Sequence, residues 1–409
     1  MLHTSDLESL INRLRPGIEE SGLNVDHLHV DLVDAETLNA LASNSGMPSR
    51  ISHWSFGKTF HEMRTAHDYR MTQIYELVVN NRPAYAFLDR RTSKAQALLI
   101  LAHVVAHVDF FQHNRLFAAT PSDMVSRMAR HRRQFLGFTR RYGVQRVESL
   151  IDAAMVLMDF VGERPRLPIS HWVPDDVMGY VIQHAAFLED WERDALSMLY
   201  AEARYFWPQH LTKVANEGYA TFWHRQILRQ TDLSAEEAWE VARMHAAVVQ
   251  VTRPQLNPYR LGLMLYQALW HQGGADRVFA ARSQFDDLGM IRAAFQEGMM
   301  DESGLALYRP QESHPEPRAA SFESVRSQLL RDLENGGIPH ITVDIQGSMP
   351  DLVLRHHHDG RDLDFTILPF AMRLVADRLW HGRVELRTLR QRVAHVVSHD
   401  GKDWQDSTG

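Results

Sequence analysis

Cysteine is absent from this chain of 409 residues, and its absence excludes several kinds of site at once. Without a thiol there is no disulfide framework, no thiolate zinc finger, no iron–sulfur cluster and no cysteine nucleophile. Any metal site has to use histidine and carboxylate ligands, which suit zinc, iron or manganese. The chain has 24 histidines, so candidates for such ligands are numerous.

Other signatures are missing as well. The glycine pairs at 273–274 and 336–337 lack the spacing and the lysine of a phosphate-binding loop, and no Gly-x-Ser-x-Gly nucleophile element occurs. No apolar run approaches the roughly 18 residues of a membrane span, and the N-terminus lacks a basic-then-apolar export signal. The net charge of −7 argues against a protein that coats nucleic acid. We therefore expect a cytoplasmic protein without a membrane span or a nucleic-acid partner.

The apolar and charged fractions, 44% and 23%, are typical of globular proteins, and the length allows more than one domain. Residues 28–34 alternate in polarity, which predicts a strand. Residues 73–80 and 84–88 are rich in β-branched and aromatic side chains, which predicts a strand–turn–strand or a helix-end–strand unit. From Ser93 to about residue 300 the spacing of apolar residues is almost entirely helical. The sequence thus predicts a mostly helical main domain over residues 1–308, with strands before residue 92.

The pattern changes in the last quarter of the chain. Residues 309–320 carry three prolines among polar side chains and are predicted to be a linker. Beyond them a helical segment precedes strand-like alternation at 341–345, 352–356 and 384–388. We therefore predict a small α+β domain over residues 321–409 and an α+β fold class for the whole chain.

The strongest local signal for chemistry is a pair of histidines in the helix that begins after Ser93. Ser93 and Gln96 fit a capping box at the start of this helix. His103 and His107 are four residues apart, so both imidazoles lie on one helical face and can bind a single ion. In the zinc-protease signature His-Glu-x-x-His the glutamate is the general base, and here Val104 occupies that position. The helix can hold a metal but lacks the usual base.

A second signal is the downstream segment Asn216-Glu217-Gly218. One broad class of zinc peptidases takes its third ligand from such a segment, and the order of strands, histidine helix and glutamate helix resembles the zincin layout. We therefore predict a small zincin-like sheet and a divalent metal, with zinc favoured, held by His103, His107 and Glu217 with water in the fourth position. His224 is either a further ligand or a group that orients one. In the alternative interpretation the histidines are structural, since 24 of them produce such a pair readily by chance.

A hydrolase also needs a general base, and the sequence offers three candidates far from the histidine pair. These are Glu62, Glu76 and Glu202. Glu202 lies among aromatic residues, where a buried glutamate is usually paired with an arginine such as Arg204 or Arg193. A structural role is therefore the alternative for Glu202.

Several segments coincide with the motifs of one protein family. The N-terminal ones are His53-Trp54-Ser55-Phe56-Gly57-Lys58, Ile74-Tyr75-Glu76-Leu77-Val78-Val79-Asn80 and Phe110-Phe111-x-x-Asn114. The central ones are Tyr205-Phe206-x-Pro208-Gln209-x-x-Thr212-Lys213-x-x-Asn216-Glu217-Gly218, Trp223-His224 and Leu256-Asn257-Pro258-Tyr259-x-x-Gly262. Together, in order over about residues 50–265, they resemble the SpoVR family of stage V sporulation protein R-like proteins. Residues 321–409 resemble the C-terminal domain of that family more loosely.

The resemblance implies a role in spore cortex formation or, in bacteria that do not sporulate, in stress physiology. It also implies two partners, a serine protein kinase and a von Willebrand factor A-type protein, whose genes often neighbour those of the family. Two functions follow as hypotheses. One is a metal-dependent hydrolase, or a degenerate one, acting on a peptide, amide or peptidoglycan-related bond. The other is a non-catalytic scaffold or regulatory protein in the kinase-linked pathway. Val104 favours the second, and the clustering of motifs around the histidines and Glu217 favours the first.

Overall fold

The structure is a computed structural model that describes residues 1–25, 27–51, 53–54, 76–162, 175–251, 256–300, 305, 321–345 and 350–408. The helices are α1 (Thr4–Ser21), α2 (Ala35–Ser43), α3 (Lys94–His113), α4 (Met124–Tyr142), α5 (Val144–Leu157), α6 (Val177–His184), α7 (Asp190–Leu211), α8 (Lys213–Arg229), α9 (Ala235–Val248), α10 (Pro258–Gln284), α11 (Asp287–Ala294), α12 (Phe322–Leu333) and α13 (Leu368–Val375). The strands are β1 (Leu28–Val33), β2 (Glu76–Val79), β3 (Ala84–Asp89), β4 (Ile341–Val343), β5 (Leu352–His356), β6 (Val384–Arg390), β7 (Val393–His399) and β8 (Trp404–Thr408). The chain is therefore an α+β protein, as predicted.

The strands form two small sheets. In the first, β3 lies between β1, with which it pairs in parallel, and β2, with which it pairs antiparallel. In the second the order is β4-β5-β6-β7-β8, and only the β5–β6 pair is parallel. The strands predicted around residues 28–34 and 84–88 are confirmed, and of the two interpretations of residues 73–80 the described part of that segment is a strand. In the C-terminal region β4, β5 and β6 were predicted, whereas β7 and β8 were missed.

The chain forms two compact units, and neither is continuous in sequence. The first unit comprises Met1–Pro48, Trp54–Val125 and Gln209–Glu334. The second comprises Ser49–His53, Ser126–Pro208 and Asn335–Gly409. The linker predicted at residues 309–320 lies outside the described residues, and the division into residues 1–308 and 321–409 stays a prediction.

Helix α3 runs through the hydrophobic core of the first unit. It packs against α1, α8 and α9, and side chains on all its sides are buried. By length and composition alone α3 is the one helix in the described part of the chain that could cross a membrane, but 83% of its apolar window is buried inside the protein. Apolar residues around the whole circumference are what a central core helix requires.

Helices α8 and α10 approach so closely that their backbones touch. A Cβ atom at Gly218 would lie 2.3 Å from the Cα atom of Gly262, and a Cβ atom at Gly262 would lie 2.3 Å from the carbonyl oxygen of Val214. No side chain fits at either position without moving a helix. Because Gly218 directly follows Glu217, this contact also determines where the carboxylate of Glu217 lies.

A side chain of α11 forms hydrogen bonds with the backbone at the N-terminus of α8. The carboxylate of Asp287 accepts hydrogen bonds from the backbone N–H groups of Val214, at 3.0 Å, and Ala215, at 2.8 Å. Burial raises the pKa of Asp287 to about 7, although the two N–H donors act in the opposite direction. A buried carboxylate thus satisfies donors that have no partner within their own helix.

The close contact of α8 with α10 makes substitution at Gly218 costly. We expect Gly218→Ala to lower the free energy of unfolding by about 1–3 kcal/mol, because the added methyl group meets backbone that cannot move aside. Chemical denaturation measures the change. Gly137→Ala in α4 is the control, since a Cβ atom there meets nothing within 4 Å. It should stabilise the helix by about 0.5–1 kcal/mol. Equal effects of the two substitutions would contradict the packing argument.

An ion pair joins α1 to α9. The guanidinium of Arg13 donates two hydrogen bonds of 2.9 Å to Glu237, which also takes part in the capping box of α9 with Ser234. The Arg13 hydrogen bond, followed by the N–H of Ser234, lowers the pKa of Glu237 to about 2. The stabilisation is therefore present above the ordinary glutamate pKa and is lost as the pH falls towards 2.

Substituting this glutamate should have a pH-dependent cost. We expect Glu237→Gln to lower the free energy of unfolding by about 1 kcal/mol or less at pH 7, since both partners are partly exposed. The difference from the wild type should shrink between about pH 4.5 and 2, because the glutamate becomes neutral there. Urea titrations at several pH values measure this. A difference that is independent of pH would show that the charge is not responsible.

Candidate metal centre

The paired histidines lie in the middle of α3, which begins as predicted. The Ser93 hydroxyl accepts a hydrogen bond from the N–H of Gln96 at 3.1 Å, and the Gln96 side chain accepts one from the N–H of Ser93 at 3.2 Å. His103 and His107 follow on one face, with ring centroids 4.5 Å apart and planes at 86°. Both side chains are buried. The helix therefore holds two imidazoles side by side in the core.

Glu217 on α8 completes a cluster with the two histidines. Its Oε2 atom lies 3.4 Å from the Nε2 atom of His103 and 3.4 Å from the Nε2 atom of His107. The possible ligand atoms of the three residues all lie within 4.8 Å of one another. Oε2 is buried and has no hydrogen-bond partner among the described residues. The three side chains thus converge on one point, and one of them presents an unsatisfied oxygen there.

The residue before Glu217 orients one of the histidines. The Nδ1 atom of His107 lies 2.9 Å from the side-chain oxygen of Asn216. Because that amide oxygen can only accept, Nδ1 carries the proton and Nε2 presents its lone pair towards Glu217. This is the tautomer that a metal ligand needs.

His103 is oriented by a chain of two further histidines. Its Nδ1 atom lies 3.0 Å from Nδ1 of His224, and Nε2 of His224 lies 2.9 Å from Nδ1 of His245 on α9. His224 therefore contacts the ring nitrogen of His103 that does not face Glu217. Of the two roles predicted for His224, this position fits that of a group that orients a ligand. No local pattern pointed to His245, which lies on a largely exposed helix.

The pKa shifts within the cluster favour the charge states of metal ligands. Burial, followed by the charge of His107, lowers the pKa of His103. Burial alone would raise the pKa of Glu217, but the neighbouring His107 and His103 outweigh it and lower the pKa. Burial also lowers the pKa of His224 well below its ordinary value and that of His245 to about 4. Burial thus favours the neutral form of His103, in which an imidazole binds a metal, whereas the ionised form of Glu217 is favoured by charge on the two histidines.

Of the three candidates for a general base, the structure describes the side chain of only one. Glu62 lies outside the described residues, and so does the side chain of Glu76 at the start of β2. Glu202 belongs to the second unit, where it is fully buried. Val104, at the position of the usual base, is buried in the hydrophobic core. Among the described residues, the group that could hold an ion therefore contains no carboxylate besides Glu217.

Glu202 has structural partners instead. Its carboxylate lies 3.0 Å from Nδ1 of His131 and 3.4 Å from Nε of Arg50. The sequence predicted that an arginine pairs with Glu202, and one does. It is Arg50, and not Arg204 or Arg193, which were given as examples. Arg193 donates its hydrogen bonds to backbone carbonyl groups at the end of α6. A partner 152 residues away in the chain could not be identified from local spacing.

A second buried carboxylate joins the three helices around the cluster. Asp109 accepts hydrogen bonds from the hydroxyl of Tyr219 on α8, at 2.5 Å, and from Arg282 on α10, at 2.7 Å. Burial, followed by the charge of Asp109, raises the pKa of Tyr219 well above its ordinary value, so the tyrosine stays a donor. This network was missed. The available signal was Asp109 itself, since an acid inside an apolar helix needs a partner.

These observations define a class of protein, an α+β chain with a buried His-His-Glu cluster between a core helix and the helix that packs on it. The family comparison is consistent with this picture. The model of the SpoVR family, described as SpoVR like protein, matches residues 2–173 and 168–338. The chain belongs to the SpoVR family.

One curated relative is the "Uncharacterized protein YcgB" of Escherichia coli (strain K12). It is 26% identical over 296 residues, which cover 58% of this chain and 58% of that protein. The chain therefore matches little more than half the length of this relative. No solved structure matches.

The network around Asp109 gives a test with a closely matched control. We expect Tyr219→Phe to lower the free energy of unfolding by about 1.5–3 kcal/mol, since it removes a hydrogen bond to a buried charge. Tyr266→Phe should cost little or stabilise, because Tyr266 is equally buried but its hydroxyl has no hydrogen-bond partner among the described residues. Urea denaturation of both variants measures the two changes in the free energy of unfolding. Equal losses would mean that packing, rather than the hydrogen bond, is responsible.

Proposed function

We propose that this SpoVR-family protein binds a divalent metal, with zinc favoured, through His103, His107 and Glu217, and that it is a metal-dependent hydrolase. The substrate would be a peptide, amide or peptidoglycan-related bond. The observation that carries the proposal is the Oε2 atom of Glu217, which is buried, has no hydrogen-bond partner in the described part of the chain, and lies 3.4 Å from both Nε2 atoms.

The donor set fits a catalytic rather than a structural metal site. Two imidazole nitrogens and one carboxylate oxygen leave the fourth position of a tetrahedral zinc ion open, as in hydrolytic zinc sites. In such a site the metal polarises a carbonyl group and lowers the pKa of its bound water. The protein contributes the orientation of its ligands, through Asn216 for His107 and through His224 for His103.

The second candidate function is a non-catalytic scaffold or regulatory protein. The specific observation in its favour is Val104, which replaces the glutamate of the usual signature and is buried in the core. In this case the metal, or the histidines alone, would hold α3 and α8 together. The protein would act in the cytoplasm with a serine protein kinase and a von Willebrand factor A-type protein, in sporulation or stress physiology.

Metal binding can be tested directly on the full chain. We expect the protein, purified without chelator, to contain about one zinc ion per chain by elemental analysis. Glu217→Gln and His103→Ala should weaken zinc affinity more than about tenfold, because each removes one of three ligands. His113→Ala is the control, since His113 lies on the same helix but outside the cluster and hydrogen-bonds the carbonyl of Asp109.

The proposal has two ways to fail. If zinc titration of the wild type shows no binding, and His103→Ala changes neither metal content nor stability, the proposed metal site is refuted. If zinc binds but the zinc-loaded protein cleaves neither a peptide library nor peptidoglycan fragments, the proposed hydrolase activity is refuted. The scaffold function is then favoured. The scaffold function would be supported directly if partner proteins co-purify with the wild type and if Glu217→Gln abolishes this co-purification.

A further inference from the structure

A cavity in the first unit shares no lining residue with the His-His-Glu cluster and takes no part in the proposed chemistry. Its volume is about 250 Å³, and residues of α8 and α10 line it. Arg225 and Arg229 come from α8, and Trp270 from α10. Two glutamines, Gln226 and Gln267, add side-chain amides to the wall. The lining therefore combines positive charge, hydrogen-bonding groups and an aromatic face.

The two arginines lack an acidic partner. Among the residues that the structure describes, no carboxylate forms an ion pair with Arg225, and Arg229 has only a 3.3 Å hydrogen bond to Gln226. Two like charges one helical turn apart destabilise a helix. Arg225 is only partly exposed, so its guanidinium is less well solvated than that of a fully exposed arginine. An anion in the cavity would offset both effects.

Two other partly buried arginines of the same unit are neutralised within the chain. Arg282 forms an ion pair of 2.7 Å with Asp109, and Arg13 forms one of 2.9 Å with Glu237. Arg225 differs from both, although it is also partly buried. No carboxylate of the described residues neutralises the charge of Arg225, so its guanidinium is available to an anionic ligand.

The aromatic wall indicates what kind of molecule carries the anion. Trp270 is 37% exposed, and its ring centroid lies 5.5 Å from that of the buried Phe222. The indole is therefore partly exposed beside a second aromatic ring that lines the same cavity, and its exposed area can pack against a planar group. Guanidinium groups match the geometry of phosphate oxygens with paired hydrogen bonds. A volume of about 250 Å³ restricts the ligand to a small molecule.

We propose that this cavity binds a small planar phosphate monoester, with its phosphate on Arg225 and Arg229 and its planar part on Trp270. The site is separate from the His-His-Glu cluster in its residues and in its chemistry. It makes no use of a metal.

The experiment is calorimetric titration of the full chain at low salt, in the presence of a chelator. The probes are phenyl phosphate, inorganic phosphate and inorganic sulfate. Phenyl phosphate should bind most tightly. Arg225→Gln should weaken its affinity by about tenfold or more, because a desolvated charge-assisted contact is lost. Trp270→Ala should weaken the binding of phenyl phosphate but not that of inorganic phosphate.

Matched controls come from α9. Arg243→Gln and Trp239→Ala change an exposed arginine and a tryptophan that is 73% exposed, and neither should alter binding. Glu217→Gln should also leave the affinity for phenyl phosphate unchanged, which separates this site from the metal cluster. Arg225→Gln should melt at the same or a higher temperature than the wild type without ligand, since it relieves a like-charge pair.

Three results would overturn the proposal. One is the absence of phenyl phosphate binding up to about 10 mM, which corresponds to a binding free energy weaker than about 3 kcal/mol. Another is equal affinity in the wild type and in Arg225→Gln. The third is equal affinity for phenyl phosphate in the wild type and in Trp270→Ala.

Discussion

The backbone contact between Gly218 and Gly262 is the constraint on which the geometry of the first unit depends. It brings α8 against α10, so that the preceding residue, Glu217, reaches the histidines of α3. The buried carboxylates of Asp109 and Asp287 then fasten α8 to its neighbours, one through a tyrosine hydroxyl and one through backbone N–H groups. The cluster is therefore positioned by the core and is not assembled from flexible loops.

Much of the fold could be predicted because its elements carry local signals. The Ser93 capping box and the β-branched strands that precede it were recognised from spacing alone, and they lie where expected. β8 was missed because Trp404–Thr408 is polar and largely exposed, so it lacks the alternation that marks a half-buried strand. The two discontinuous units could not be anticipated either, since contacts between distant segments leave no periodic pattern in the sequence.

The candidate site shows the same limit. His103, His107 and Glu217 could be proposed together because their residue types and order resemble a known arrangement, and the structure brings them within 4.8 Å. The residues that orient them were harder to find. Asn216 was visible as part of a motif, but nothing in local spacing linked His245 to a ring on another helix. Hydrogen bonds across helices depend on packing, which the sequence encodes only through the whole core.

The discontinuity of the first unit has a consequence for synthesis on the ribosome. The segment Trp54–Val125 carries the histidines, but Gln209–Glu334 must emerge before their partner helices exist. Until then α3 is a nascent helix, long and apolar on all sides, without the core that covers it. During this interval the apolar side chains of α3 are exposed, and exposed apolar surface favours aggregation. Helix α3, which lies in the core of the finished protein, is thus exposed to aggregation while the chain is being synthesised.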